Sequence, residues 1–376
     1  MSVGRNVAAN TASQLYAALV ALALVPAVVR MLGVEAYGLV GFYAMAQGWF
    51  MLLDLGLTPT IGREAARFKG GAIGALQLRR LLRSMEGLFL LLALAGGAAL
   101  AAAAPLLTDH WLKLEQLPRT DVVMALVLMA GAVALRWLAG LYRGVIAGFE
   151  RIVWLSGFNA AIATARFVLV LPVMALAGAT LPVYFAWQLA VATVEVAVVA
   201  AMSYRVLPDA GSGTVLRFEW RPLAGVMRFA LSASLTSVIW VLVTQTDKLI
   251  LSGAVPLAEY AVFTLAVQVA TAITLLSAPI GQAVLPRLTR LAAAGDEGSL
   301  VRLYRDLTQI VVVAVVPLVL LLAFFAEPVV TAWTGDPALA GRAAPLLVLY
   351  AIGNGVLAVA GLPYCLQVAR GNLDLH

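Results

Sequence analysis

The chain has 376 residues, of which 63% are hydrophobic and only 12% are charged, and its formal net charge is +6. Soluble domains are usually about a quarter charged, so this composition excludes an ordinary soluble protein. Apolar runs of about 18 residues or more recur from end to end, and each is long enough to span a bilayer. Because these runs do not alternate apolar with polar residues, they predict an all-α polytopic membrane protein rather than a β-barrel.

Ten membrane spans are predicted in chain order. They cover residues 12–32, 38–61, 85–107, 122–142, 157–178, 181–204, 229–253, 260–285, 307–326 and 341–364. The first run is long for the core of a signal peptide and ends in a poor cleavage site, so it is predicted to be a retained helix.

Lys and Arg residues are distributed unevenly between the two sides of these spans. Eighteen fall on one side, and the other side has only Arg30, Lys113, Arg119 and Arg342. Because such residues concentrate in cytoplasmic loops, both termini are predicted to be cytoplasmic. The basic charge therefore reports topology, and nucleic acid is not an expected partner. The basic segments 62–84, 205–228 and 286–306 are predicted to lie on the cytoplasmic membrane surface.

An internal repeat is visible when the chain is shifted on itself by about 223 residues. Tyr37 then falls on Tyr260, Arg67 on Arg290, and Gly148 on Gly371. Six spans separate the copies, so both insert the same way up, as in transporters built from parallel repeats. The predicted domains are a six-helix lobe (1–204), a cytoplasmic linker (205–228) and a four-helix lobe (229–376). The second lobe is expected to lack counterparts of spans five and six.

Four stretches carry a resemblance to a known family. They are NTASQLYAALVALALVPAVVRMLGVEAYGL (10–39), LLDLGLTPTIGREAARF (52–68), LYRGVIAGFERIVWLSGFN (141–159) and TQTDKLILSG (244–253). In this order they resemble polysaccharide flippases of the Wzx type, in the multidrug/oligosaccharidyl-lipid/polysaccharide exporter superfamily. The resemblance implies two lobes, twelve or more spans and alternating access. It also implies an undecaprenyl-diphosphate-linked oligosaccharide as substrate, carried across the bacterial inner membrane for O-antigen, capsule or exopolysaccharide synthesis.

Ionisable residues inside membrane spans are candidates for function, because their burial in lipid is costly. Arg166 lies near the middle of span five, where its guanidinium could bind a diphosphate or an acidic sugar. The alternative is a structural ion pair with Glu195 in span six, a residue that could also act in coupling or gating. Arg136 could reach a lipid phosphate or a neighbouring acid, and it is kept as a substrate-binding candidate.

Span seven contains an adjacent charge pair, Asp247 and Lys248. Lys248 continues a polar stripe through Ser237, Thr244 and Ser252, which predicts a cavity-facing substrate contact; the alternative is snorkelling to the outer interface. Neighbouring residues on a helix diverge by about 100°, so Asp247 is expected to find a partner on another span or to carry a coupling proton.

Further candidates lie at the span ends. Arg30 is the proposed partner of Asp247. Asp54, near the cytoplasmic end of span two, is predicted to act as a gate or in a helix-end ion pair, with Arg63 and Arg67 following it. A glycine stripe at Gly140, Gly144 and Gly148 would permit close helix packing.

Other functions are weighed against this prediction. Two other transporter functions are a peptidoglycan-precursor flippase and a drug or cation antiporter. The antiporter is disfavoured, because a cation site should be acidic and the central charges here are basic. A metal-dependent glycosyltransferase would need paired acids, and the chain offers only the adjacent Asp296 and Glu297. With two histidines, one cysteine and no phosphate-binding loop, neither a cofactor nor enzymatic activity is expected. A non-transporting fragment that only associates with a glycan-assembly complex is the remaining alternative. The expected partners of the flippase are membrane lipids and, among proteins, a polysaccharide polymerase and the export machinery.

Overall fold

The computed structural model describes residues 3–208 and 218–370. The helices of the first half are α1 (Val3–Leu32), α2 (Val34–Phe50), α3 (Leu57–Lys69), α4 (Ala75–Leu106), α5 (Arg119–Gly148), α6 (Ile152–Ala163), α7 (Val170–Ala177) and α8 (Leu181–Val206). Those of the second half are α9 (Trp220–Ala254), α10 (Leu257–Ala293), α11 (Glu297–Phe324), α12 (Ala326–Thr334) and α13 (Pro337–Arg370). Within these described ranges no named strand occurs, and the one β-bridge joins Lys113 to Pro256.

Nine helical segments among the described residues are long and apolar enough to cross a membrane. They are Gly4–Leu32, Val34–Asp54, Ala75–Trp111, Arg119–Gly148, Ile152–Ala177, Leu181–Val206, Leu257–Leu275, Glu297–Phe324 and Pro337–Arg370. Each overlaps one predicted span, which confirms the all-α polytopic fold. The remaining predicted span, 229–253, lies on α9, which is helical throughout but is not among these nine.

The second predicted span, 38–61, is wrong as a continuous helix. α2 ends at Phe50, a 3₁₀ turn covers Met51–Asp54, and Leu55 and Gly56 both take positive φ angles of 47° and 73°. Two consecutive left-handed residues cannot continue an α-helix, so the chain restarts as α3. A side chain would not fit at Gly56, because its Cβ would lie 2.3 Å from the carbonyl oxygen of Ala230 on α9.

Two of the basic segments each contain a turn between helices. In residues 62–84, α3 ends at Lys69 and α4 begins at Ala75. Residues 286–306 are divided between the end of α10 and the start of α11. The predicted position of these segments on the membrane surface stays a prediction. Residues 209–217 of the predicted linker and Gly371 of the repeat lie outside the described residues.

The chain divides into two compact units. The first comprises Met1–Val20 and Ala27–Ala261, and the second comprises Ala21–Pro26 and Val262–His376. The predicted lobes, 1–204 and 229–376, stay a prediction. In the first unit α5 packs against α3, α4 and α8. In the second, α13 packs against α11 and α12.

The glycine stripe on α5 confirms the predicted close packing. A Cβ on Gly148 would lie 2.3 Å from the carbonyl oxygen of Gly62 on α3, and one on Gly144 would lie 2.7 Å from that of Thr58. The two backbones therefore meet directly. This contact holds α5 at a fixed distance from the restarted helix α3, and α5 carries two of the charged residues of the candidate site.

Candidate functional site

The helix carrying Arg166 is interrupted at that residue. Thr164–Val168 forms one π-helical turn, closed by a hydrogen bond from Leu169 N to Thr164 O at 3.1 Å. Such turns add one residue to a helix and are frequent at functional sites. Two carbonyls of the turn are bound by side chains of α8: Trp187 Nε1 donates to Ala165 O at 2.8 Å, and Gln188 Nε2 donates to Arg166 O at 3.2 Å.

Gln188 also fixes the guanidinium of Arg166. Its Oε1 accepts a hydrogen bond from Arg166 Nε at 3.2 Å, and the guanidinium carbon lies 5.2 Å from the centre of the Phe167 ring. The predicted structural alternative, an Arg166–Glu195 ion pair, is replaced by this contact with a buried neutral amide. A neutral partner orients the cation and leaves its charge in place.

Glu195 instead pairs with two arginines of α5. Its side chain is 1% exposed; its Oε1 accepts a hydrogen bond from Arg143 Nη2, and its Oε2 lies 4.0 Å from Arg136 Nε. Arg143 Nη1 also donates to Asn159 Oδ1 on α6 at 2.7 Å. We name Arg136, Arg143 and Glu195 the arginine–glutamate cluster. With two cations and one anion it carries a formal charge of +1.

Arg143 is the member of this cluster that the sequence analysis missed. Span four was predicted to end at residue 142, so Arg143 was assigned to the cytoplasmic loop, whereas α5 continues to Gly148. Arg136 and Arg143 are seven residues apart, which puts them on one face of a helix two turns apart. That spacing, together with the single acid Glu195 in span six, was the available signal.

Asp54 binds the start of α3. Its carboxylate accepts hydrogen bonds from the hydroxyl of Thr58 and from Thr58 N, the latter at 3.2 Å. Arg67 pairs with the buried Glu64 at 3.0 Å, and Arg63 lies 3.9 Å from the same carboxylate. Asp54 therefore stabilises the helix restart, and its proposed gating role stays a prediction.

Asp247 and Lys248 contact each other, contrary to expectation. Lys248 Nζ lies 3.4 Å from Asp247 Oδ1 and also donates to Thr244 O. The divergence of neighbouring residues is overcome because the long lysine side chain folds back along the helix. The predicted Arg30–Asp247 pair stays a prediction; Arg30 lies in the last turn of α1.

The Ser252 end of the polar stripe on α9 has a different role from the predicted one. Ser252 is buried, and its hydroxyl accepts a hydrogen bond from Trp111 Nε1 at 2.9 Å. Nearby, Lys113 O accepts from Leu257 N at 3.0 Å. This end of the stripe therefore fastens α9 to the loop after α4, while Thr244 and Lys248 remain candidates for a cavity contact.

Comparisons with known proteins agree with this architecture. The model of a family described as polysaccharide biosynthesis protein matches residues 3–292. A multidrug resistance MATE family transporter of the MOP superfamily, in an inward-facing conformation, is 14% identical with a TM-score of 0.69; the match covers 100% of this chain and 82% of that one. The lipid II flippase MurJ, in an inward closed conformation, is 12% identical with a TM-score of 0.71, covering 99% and 77%. These two structures show the fold. None of the curated proteins matches the sequence.

Proposed function

We propose that this chain, which belongs to the polysaccharide biosynthesis protein family, flips a lipid-linked oligosaccharide across a membrane. The proposed substrate is an undecaprenyl-diphosphate-linked repeat unit of O-antigen, capsule or exopolysaccharide. It would move from the cytoplasmic to the periplasmic leaflet by alternating access, while its lipid tail stays in the bilayer.

The arrangement of Arg166 is the observation that carries this proposal. A cation inside a membrane span is costly, and chains keep one where it has a function. Gln188 holds the guanidinium through Nε, which leaves the Nη groups directed away from that contact. Arginine binds phosphate oxygens in a bidentate manner, so this geometry suits the diphosphate that every substrate of this kind carries.

The remaining members of the candidate site have supporting roles in this proposal. The arginine–glutamate cluster adds positive charge on the same helix bundle, and Lys248, beside Asp247 on α9, is the proposed further contact with the substrate. A drug or cation carrier would require the opposite sign of charge. The proposed location is the bacterial inner membrane with both termini in the cytoplasm, and a polysaccharide polymerase and the export machinery are the proposed protein partners.

A peptidoglycan precursor is the second candidate substrate. It carries the same lipid and diphosphate, and the fold is similar to that of the lipid II flippase. Arg166 would serve either substrate in the same way, because the two differ in the glycan and not in the diphosphate.

Complementation tests the proposal and separates the two substrates. The chain is expressed in one strain that lacks its repeat-unit flippase and in another depleted of its peptidoglycan-precursor flippase. We expect surface polysaccharide to return in the first strain and not with Arg166→Ala, while the exposed control Arg302→Ala behaves as wild type. Growth of the second strain alone would assign the chain to the peptidoglycan precursor, and rescue of neither strain would contradict the proposal.

A further inference from the structure

The π-helical turn that carries Arg166 is held by side chains of two other helices. Two of its carbonyls accept hydrogen bonds from side chains of α8. A further contact comes from α1, where Tyr16 Oη lies 2.7 Å from Thr164 Oγ1. Three successive residues of the turn, from Thr164 to Arg166, are therefore each bound by a side chain of another helix.

The direction of the hydrogen bond between Tyr16 and Thr164 follows from a second contact. Thr164 Oγ1 also lies 3.0 Å from the carbonyl oxygen of Ala160, which can only accept. A hydroxyl has one proton, and Thr164 gives it to Ala160. Tyr16 is therefore the donor in its contact with Thr164. The Thr164 hydroxyl is fixed both as a donor, within its own helix, and as an acceptor, from α1.

Tyr16 lies at the end of a polar face on α1. Asn10, Ser13 and Tyr16 follow one another at a spacing of three residues, which places neighbours on the same side of a helix. Ser13 is buried, and its hydroxyl donates to Asn10 O at 3.0 Å. Tyr16 itself is 40% exposed, so its ring is not part of the packed core. The hydrogen bond of its hydroxyl is the specific contact by which it joins α1 to the turn.

The direction of Arg166 depends on the turn staying where it is. A π-helical turn contains one residue more than regular α-helical geometry, and it is rare because the α-helix is the more stable form. Contacts from outside the helix keep the surplus residue between Thr164 and Val168. Moving it past Arg166 would rotate that side chain by about 100° around the helix axis. The 3.2 Å bond from Arg166 Nε to Gln188 Oε1 would then be lost.

We infer that Tyr16 and Thr164 are positioning residues for Arg166. The Tyr16 hydroxyl, acting through Thr164, keeps the π-helical turn in place and thereby keeps the guanidinium in the direction that binds the lipid diphosphate. This inference rests on the proposed function and adds α1 to it. Both residues act through Arg166, so removing either hydroxyl weakens diphosphate binding without changing the charge of the protein.

The test measures dissociation constants of two probes on the purified full-length protein in nanodiscs. The probes are undecaprenyl diphosphate and undecaprenol, which has the same lipid chain and no phosphate. We expect Tyr16→Phe and Thr164→Val each to weaken binding of the diphosphate about fivefold and to leave undecaprenol binding unchanged. In an Arg166→Gln background, Tyr16→Phe should have no further effect, because the group that it positions is absent.

Two control variants remove the same atoms elsewhere. Thr193→Val on α8 is matched to Thr164→Val, because Thr193 Oγ1 donates to Leu189 O at 2.9 Å, the same bond to a carbonyl four residues earlier. Tyr304→Phe on α11 is matched to Tyr16→Phe. Neither control should alter the binding of either probe.

Equal weakening of both probes by Tyr16→Phe would overturn the positioning role, because a general structural defect affects both. An effect of Tyr16→Phe that persists in full in the Arg166→Gln background would also overturn it. Thr164→Val keeps the shape of the side chain, so it remains informative if Tyr16→Phe fails to fold. Diphosphate binding that requires Arg166 but neither hydroxyl would overturn the positioning role alone. Wild-type protein that binds the diphosphate no better than undecaprenol would contradict the proposed function itself.

Discussion

Gln188 holds Arg166 at two points, accepting a hydrogen bond from the side-chain Nε and donating one to the main-chain carbonyl, each at 3.2 Å. The carbonyl in the second contact belongs to the π-helical turn Thr164–Val168. A glutamate in place of Gln188 could accept the same hydrogen bond from Nε, but it would neutralise the guanidinium and could not donate to the main-chain carbonyl. The choice of an amide therefore preserves a positive charge inside the span while fixing its direction.

The first prediction follows from this contact. Gln188→Glu should reduce transport at least tenfold, to the level of Arg166→Ala, because the new carboxylate competes with the substrate diphosphate for Arg166. Surface polysaccharide in the complemented strain measures transport, and fluorescence-detected size exclusion measures folded protein. Gln309→Glu on α11 adds the same charge away from the site and should have no effect. Full transport by Gln188→Glu would show that the charge of Arg166 is not used.

The second prediction concerns the α3–α5 contact. Gly148→Ala places a Cβ 2.3 Å from the carbonyl oxygen of Gly62, and neither backbone can move away without disturbing the neighbouring helices. We expect a loss of about 1–3 kcal/mol, seen as a lower melting temperature in detergent. Gly157→Ala on α6 is the control, since nothing lies within 4 Å of its added Cβ. An unchanged melting temperature for Gly148→Ala would show that the two helices separate easily.

The span positions could be predicted because hydropathy averaged over about twenty residues reports burial in lipid. The interruptions within the helices could not be predicted in this way. Leu55 and Gly56 lie in a run that remains apolar across the break, and the π-helical turn at Arg166 adds one residue without any change in composition. Both depend on local contacts with other helices, namely Ala230 on α9 and Trp187 and Gln188 on α8.

The sequence predicted the residues of the candidate site better than it predicted how they pair. Charge inside apolar runs identified Arg136, Arg166 and Glu195. The sequence did not reveal the partner of each residue, because pairing depends on how neighbouring helices are rotated and shifted. Glu195 pairs with Arg143, and Arg166 pairs with Gln188. A hydropathy pattern contains no information on the helix rotations that bring these side chains together.

The third prediction compares a buried with an exposed ion pair. Arg143→Met leaves Glu195 buried without its hydrogen-bonded partner, and breaking such a pair costs about 3–5 kcal/mol in the interior. Because Arg143 is 28% exposed, we expect the lower end of that range. Lys69→Met breaks the exposed Lys69–Glu150 pair and should leave the melting temperature unchanged. Equal effects of the two substitutions would show that Glu195 is solvated in the folded protein.

The fourth prediction uses the internal repeat. Asp247 and Lys248 align with Leu24 and Val25 at the repeat offset, so the first copy forms this helix without charges. The double variant Asp247→Leu/Lys248→Val should therefore keep wild-type protein levels and lose surface polysaccharide. The single variant Lys248→Ala should lose it as well. Loss of folded protein in the double variant would assign the pair a structural role, and normal polysaccharide would remove Lys248 from the substrate path.

The last prediction tests the orientation derived from the Lys and Arg distribution. In a Cys365→Ser background, Gln116→Cys places a thiol in the exposed loop after α4, and Ala294→Cys places one in the exposed turn between α10 and α11. Neither parent side chain takes part in a described hydrogen bond. If positive residues mark the cytoplasmic side, a membrane-impermeant maleimide should label Gln116→Cys on intact cells and Ala294→Cys only after permeabilisation. The reverse pattern would invert the topology. It would place the eighteen basic residues outside the cell, and substrate would then have to enter from the opposite leaflet.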